Sequence, residues 1–231
     1  MKTLMKFIPV ICGVLFLSSA VAADKVVVIP LNSKGNKPEP EVPVVISATG
    51  QVWMALNLGA SQVAISSDDP AAYGTLYQWG RLGDGHEYRS SAITTTLSSG
   101  DVPGHGSFIT AAGFPYDWRS SPNDNLWQGE SGINNPCPAG FRLPTTAEWE
   151  TEMASWGNQN AAGAFASPLK LVLAGYRDYY DGTLLYAGSD GFYWSSTVVG
   201  SYSRSLYFGS GNANMDSTSR AYGVSVRCLK D

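Results

Sequence analysis

Charge is in short supply in this chain, at 15% of residues, and it leans acidic, with a formal net charge of −4. A surface that neutralises phosphates needs clustered lysine and arginine, so nucleic acid is excluded as a partner. Histidine is rarer still. His86 and His105 stand in the glycine-rich turns Gly83-Asp-Gly-His-Glu87 and Pro103-Gly-His-Gly106, and no Gly-x-Ser-x-Gly elbow occurs, which removes a Ser-His-Asp arrangement. Phosphate loops and dinucleotide fingerprints are missing as well. The apolar run from Phe7 to Leu17 is 11 residues long, well short of the ~20 that span a bilayer.

That run has a different use. Lys2 and Lys6 precede it and the small residues Ser18 to Ala23 follow it, the three parts of a cleavable bacterial-type secretory leader over residues 1–23. Its removal takes the net charge to about −6 and leaves a chain with no transmembrane segment, destined for the periplasm or the exterior. Cys12 leaves with the leader. Cys137 and Cys228 remain, too few for a zinc site and expected to form one disulfide in an oxidising compartment.

Residues 24–43 read as an N-terminal segment and proline-rich linker, with a short apolar stretch from Val26 to Leu31 and no hydrophobic period after it. From residue 44 to 231 the pattern is that of one domain. Val44 to Ile46 and Gln51 to Leu56 predict two short strands around a turn at Thr49-Gly50. Thr75 to Trp79 alternates as a strand does, although Pro70-Ala-Ala before it suits a helical turn. Between Gly83 and Asn135 no period is sustained, and Phe108, Ile109, Phe114, Tyr116, Trp118, Leu126 and Trp127 are the anchors available to tack this long loop to a core.

Thr145-Thr-Ala-Glu148 is a capping box. It predicts a three-turn helix that buries Trp149, Met153 and Trp156, turns Glu148, Glu150 and Glu152 to water, and stops at Gly157. Leu169 to Leu173, Phe192 to Thr197, Ser203 to Phe208 and Tyr222 to Cys228 are further strand candidates. The fold class is therefore α+β: twisted antiparallel sheets, one clear helix and long irregular loops.

Six blocks occur in order: Gln51-Val-Trp-Met-Ala-Leu-Asn-Leu58, Tyr73-Gly-Thr-Leu-Tyr-Gln-Trp79, Cys137-Pro-Ala-Gly-Phe-Arg-Leu-Pro-Thr145 with Glu148-Trp149, Leu173-Ala-Gly-Tyr-Arg177, Gly188-Ser-Asp-Gly-Phe-Tyr-Trp-Ser-Ser-Thr197 and Val224-Ser-Val-Arg-Cys-Leu-Lys-Asp231. Together, from about residue 46 to the end, they resemble the Fibrobacter succinogenes major paralogous domain. That family is similar to the formylglycine-generating-enzyme branch of the C-type-lectin-like fold, so the resemblance implies this fold. It does not carry the activity. The enzyme branch uses a reactive copper-binding cysteine pair near the carboxy terminus, and Asn214 to Val226 contains no cysteine. The calcium-binding Glu-Pro-Asn, Gln-Pro-Asp and Trp-Asn-Asp motifs of sugar-binding C-type lectins do not occur either.

Three acidic clusters, Asp68-Asp69, Asn123-Asp124-Asn125 and Asp178 with Asp181, offer oxygen ligands for calcium, and the last offers a carboxylate pair for glycoside hydrolysis. Turn residues that bond their own backbone are the preferred reading of all three. No catalytic residue, metal site or cofactor is expected. The segment from Phe192 to Tyr222 interleaves Tyr193, Trp194, Tyr202, Tyr207 and Tyr222 with Ser, Gly, Asn, Arg204 and Arg220, a composition like that of antibody paratopes. Trp194 is read as core, while Tyr202, Tyr207, Asn212 and Asn214 are the candidate ligand contacts, with Tyr202, Asn212 and Asn214 placed in turns. The expectation is a secreted or cell-envelope binding module, not an enzyme, presenting this face to a glycan or surface protein. The alternative is a structural domain of a surface assembly, its linker joining Val26 to Leu31 to a partner; a hydrolase or oxidase comes last.

Overall fold

A computed structural model of the chain describes residues 27–29 and 42–231; the expected leader and most of the expected linker lie outside the described residues. In chain order the strands are β1 (Val27–Ile29), β2 (Val42–Ile46), β3 (Val52–Met54), β4 (Tyr77–Gln78), β5 (Ile93–Thr94), β6 (Phe108–Ile109), β7 (Phe141–Arg142), β8 (Tyr176–Arg177), β9 (Leu184–Leu185), β10 (Gly191–Val199), β11 (Tyr202–Phe208), β12 (Ala213–Ser219), β13 (Gly223–Val224) and β14 (Leu229–Lys230). The helices are α1 (Thr146–Ala154) and α2 (Ala161–Ala166). Three sheets are antiparallel, in the orders β1-β2-β3-β14-β7, β10-β11-β12 and β4-β13-β8-β9, and β5 with β6 forms a parallel pair. This is an α+β architecture. The C-terminal strand β14 lies between β3 and β7, so the two ends of the domain share one sheet. β1 pairs with β2 of its own chain, and β2 starts at Val42, inside the stretch expected to be linker.

Successive strand residues point to opposite faces, and here both faces are covered. Val44 and Val45, Met54 and Trp53, and Trp194 and Tyr193 divide between two apolar clusters, the first of each pair with Trp79, Trp118 and Trp127, the second with Trp149, Leu206 and Phe208. All seven tryptophans are buried. Five of their indoles reach a main-chain carbonyl: Trp79 to Ser195, Trp118 to Trp79, Trp127 to Asn134, Trp149 to Trp194 and Trp194 to Tyr77. A buried indole N–H needs an acceptor, and carbonyls of irregular backbone need a donor. One of these bonds, from Trp118 to the Trp79 carbonyl, also fastens the long loop to the core, while that of Trp127 closes within the loop onto Asn134.

Helix α1 begins as expected, with both halves of the Thr145–Glu148 box formed and Trp149 fully buried. Arg142 adds a fork to Glu148, at 2.7 and 2.9 Å. Other expectations are corrected. The helix has nine residues, about two and a half turns, and ends on a right-handed Ser155 cap, so Gly157 is not its stop. A second helix, α2, follows it, capped by Asn160; its alanine-rich sequence has no apolar period to announce it. Leu169, Leu171 and Leu173 are buried as expected but form no strand: Lys170 takes a left-handed φ of 50°, and Val172 and Leu173 bond the Tyr193 hydroxyl and the Ser67 carbonyl in place of a ladder. Strand β12 has little strand propensity, and no local pattern announces it; a full seven-residue register with β11 holds it. Of the loop anchors, Phe114 is 72% exposed, while Phe108, Ile109, Trp118, Leu126 and Trp127 are buried.

Glu152 is fully buried, against the expectation that it faces water. Burial raises its pKa above 4.5, and Ser47 and Trp156 offset part of this without a well-formed bond to either carboxylate oxygen. A raised acid pKa means that the native state holds the proton more tightly than the unfolded chain, so the contribution to stability is full below about 4.5 and declines as pH rises through the folded value. Glu152→Gln, which cannot ionise, is expected to stabilise the protein by about 1–2 kcal/mol at pH 7 and to do little at pH 4. Melting curves at the two pH values decide it; an equal change at both would mean that the charge is not the cause.

Candidate functional site

A cleft of about 580 Å³ opens where β8, β10, β11, β12 and the turn before β13 meet. Seven aromatic rings line it: Tyr116 from the long loop, Tyr176 from β8, Tyr179 and Tyr186 from the turns flanking β9, Phe192 from β10, Tyr202 from β11 and Tyr222 before β13. Asp216, Ser217, Thr218 and Ser219 of β12 and Val224 of β13 complete the lining. The rings brace one another edge to face. Centroids lie 5.3 Å apart for Tyr116 and Tyr179, 4.7 Å for Tyr179 and Tyr222, 5.1 Å for Tyr222 and Tyr176, and 5.0 Å for Tyr176 and Phe192. Such contacts hold rings in place and leave their remaining faces for a ligand.

Local backbone explains the positions. Asp178 accepts from the Tyr180 N–H, and Asp181 from the Thr183 N–H and hydroxyl, so both carboxylates build the turn that carries Tyr179. The Tyr179 carbonyl takes the Ala111 N–H and the Tyr116 carbonyl takes the Ala221 N–H, stitching the long loop to the cleft. Gly175, with φ of 66°, passes so close to the next strand that a Cβ would meet the Leu185 carbonyl at 2.2 Å; only glycine lets β8 enter beside Tyr186. Tyr116 and Tyr186 themselves adopt φ of 59° and 60°. Left-handed backbone is costly for a residue this large and concentrates at ligand clamps.

Burial and then the Asp178 carboxylate push Tyr176 and Tyr222 above the ordinary tyrosine value, so each phenol both donates and accepts near neutral pH. Among the described residues, the lining contains no histidine and a single carboxylate, Asp216. Its rings can stack on a flat apolar face and its hydroxyls can donate and accept hydrogen bonds.

Of the residues foreseen as contacts, Tyr202 lines the cleft, but as the first residue of β11 and not in a turn. Tyr207 stands behind Phe192, at 5.2 Å, and its hydroxyl donates to Asp190 at 3.1 Å. Asn214 lies inside β12, also not in a turn, and its amide holds Asp216 at 2.7 Å. Asn212 is exposed at the β11–β12 turn, outside the lining. Tyr193, Trp194 and Arg220 are buried, the last between Trp79, at 4.6 Å, and Asp124, at 2.6 Å. Sequence reasoning missed Tyr116, Tyr176, Tyr179, Tyr186, Phe192 and Asp216 as site residues; the Tyr179-Tyr180 pair before Asp181-Gly182 was the available signal.

Among the described residues, one group has ligand atoms close enough for a metal: Asp84, His86 and Glu87, within 4.8 Å of one another. His86 is fully buried, and its Nε2 accepts from the Gln78 N–H at 3.1 Å while Nδ1 lies 2.8 Å from Asp84. Arg81 takes the other Asp84 oxygen at 2.9 Å, and Glu87 accepts from the Gly85 N–H. Both ring nitrogens are engaged and burial lowers the His86 pKa, so the neutral ring braces the loop. The acidic clusters are similarly used: Asp69 caps the Pro70–Ala72 turn of helix, and Asp124 pairs with Arg220.

An α+β domain with a tyrosine-walled cleft is thus what the fold and site define. A family model described as a domain of unknown function, DUF8237, matches residues 153–229, the part that supplies six of the seven cleft rings. No curated protein and no solved structure matches the chain.

Proposed function

We propose that this chain is an exported binding module of the cell envelope or exterior, C-type-lectin-like in fold and of the Fibrobacter paralogous kind, which holds a glycan in the tyrosine cleft. The observation that carries this reading is the convergence of seven aromatic rings, from segments far apart in the chain, on one cleft with a hydroxyl-rich floor. Sugar rings present C–H faces that stack on aromatics and hydroxyls that pair with Ser, Thr, Tyr and Asp.

The test is a glycan and envelope-protein array probed with the chain and three variants. Tyr186→Ala and Tyr202→Ala, at exposed and half-buried positions, are each expected to weaken glycan binding by roughly tenfold, about 1.4 kcal/mol, with unchanged melting temperature. Asn212→Ala, outside the cleft, leaves it unchanged. A folded protein that binds no glycan moves the reading to a structural domain.

A further inference from the structure

The charge character of the cleft narrows its ligand within the glycan reading, on which the narrower assignment rests. Among the described residues, no lysine, arginine or histidine lines the cleft. Asp216 Oδ1 accepts from Asn214, and its Oδ2 has no protein partner among the described residues. Two more carboxylates stand behind the rings, Asp178 at the base of the Tyr179 turn and Asp190 beneath the Tyr207 hydroxyl. Arg204 does not offset them: its fork is held by the Ser217 hydroxyl and the Met215 carbonyl. The register places Arg204 opposite Ser217, so strand alternation turns it away from Asp216.

Aromatic faces carry negative potential and attract cations, most strongly where water is displaced. We infer that the cleft takes an amino sugar bearing a free, protonated amine, whose ring stacks on the tyrosines while its ammonium meets Asp216 and the neighbouring ring faces. The charge complementarity is one-sided: a uronic or sialic acid would bring its carboxylate against Asp216 with no cation to receive it. The volume, about 580 Å³, falls within the range of sites that enclose a small ligand.

Calorimetric titration with a matched pair tests this: a glucosamine tetrasaccharide and its fully N-acetylated counterpart, of equal length and stereochemistry, at a pH of about 6 where the free amine is charged. The charged form is expected to bind at least tenfold more tightly, and Asp216→Asn, which keeps the bond from Asn214, to remove that preference while the melting temperature holds. Equal or weaker binding of the charged form overturns the inference; if the neutral form still binds, the glycan reading survives. No binding of either also overturns it, and the array then judges the glycan reading separately. A tetralysine peptide that binds as tightly as the charged sugar would assign the cleft to protein ammonium groups and overturn the choice of sugar.

Discussion

Arg227→Met is expected to destabilise the protein by about 3–5 kcal/mol, although methionine fills much of the same apolar volume. Arg227 is 3% exposed, and burial draws its guanidinium pKa down to about 10, which leaves it charged at neutral pH. Among the described residues it has no carboxylate partner. Its neutralisation is spread over oxygen dipoles: Nε donates to Asn57 Oδ1 at 2.9 Å, and Nη1 to the carbonyls of Leu169, Met54 and Ala55 at 2.9, 3.2 and 3.2 Å. Asn57 in turn donates to the Ala72 and Tyr73 carbonyls and to the Tyr193 hydroxyl. One side chain thus fastens the end of β3 to the segment after α2, where no strand ladder exists. Methionine leaves several buried acceptors without donors. Arg227→Lys, which keeps the charge but not the planar fork, is expected to recover only part of the loss. Urea unfolding at constant slope measures both; an unchanged midpoint for Arg227→Met would mean that the acceptors find other donors.

Loss of the Cys137–Cys228 bridge is expected to cost a further amount of similar size. The two residues are 91 apart in sequence with Cα atoms at 5.9 Å. A cross-link closing a loop of that length restricts the unfolded chain by at most ~4–5 kcal/mol in the chain-entropy account. The bridge ties the entrance of β7 to that of β14, and Cys228 is fully buried in the tryptophan-rich cluster. Cys137→Ala with Cys228→Ala should lower the urea midpoint to the value the native protein shows with excess reductant. A midpoint insensitive to both would mean that core packing alone closes the loop.

Some of this architecture is legible in the residues themselves. The capping box at Thr145 and Glu148 depends only on residues within one helical turn, and both halves of it form. The β2–β3 hairpin around Thr49-Gly50 is equally local. The cysteine pair follows from arithmetic once Cys12 is set aside. Burial of Glu152 is not legible, because the helical period places it beside Trp149 and Trp156 while charge argues for water, and only the packing of α1 against the sheet decides between them. Strand β12 escapes a local reading for a related reason. Ala213-Asn-Met-Asp-Ser-Thr-Ser219 has weak strand propensity, and its conformation is supplied by β11.

The cleft divides in the same way. Composition points to the stretch from Phe192 to Tyr222, and Tyr202 and Tyr222 do line the cleft. The opposite wall comes from Tyr116, Tyr176, Tyr179 and Tyr186, residues that a local reading assigns to a loop, a family block and a turn. By itself the sequence determined the elements whose causes are local: the Thr145 capping box, the β2–β3 turn, the cysteine pair and the acidic Asx turns. Only the tertiary structure decided which tyrosines face one another, which charges are buried, and that a concave aromatic surface exists at all. A concavity is a relation between segments distant in the chain, and no local spacing encodes it.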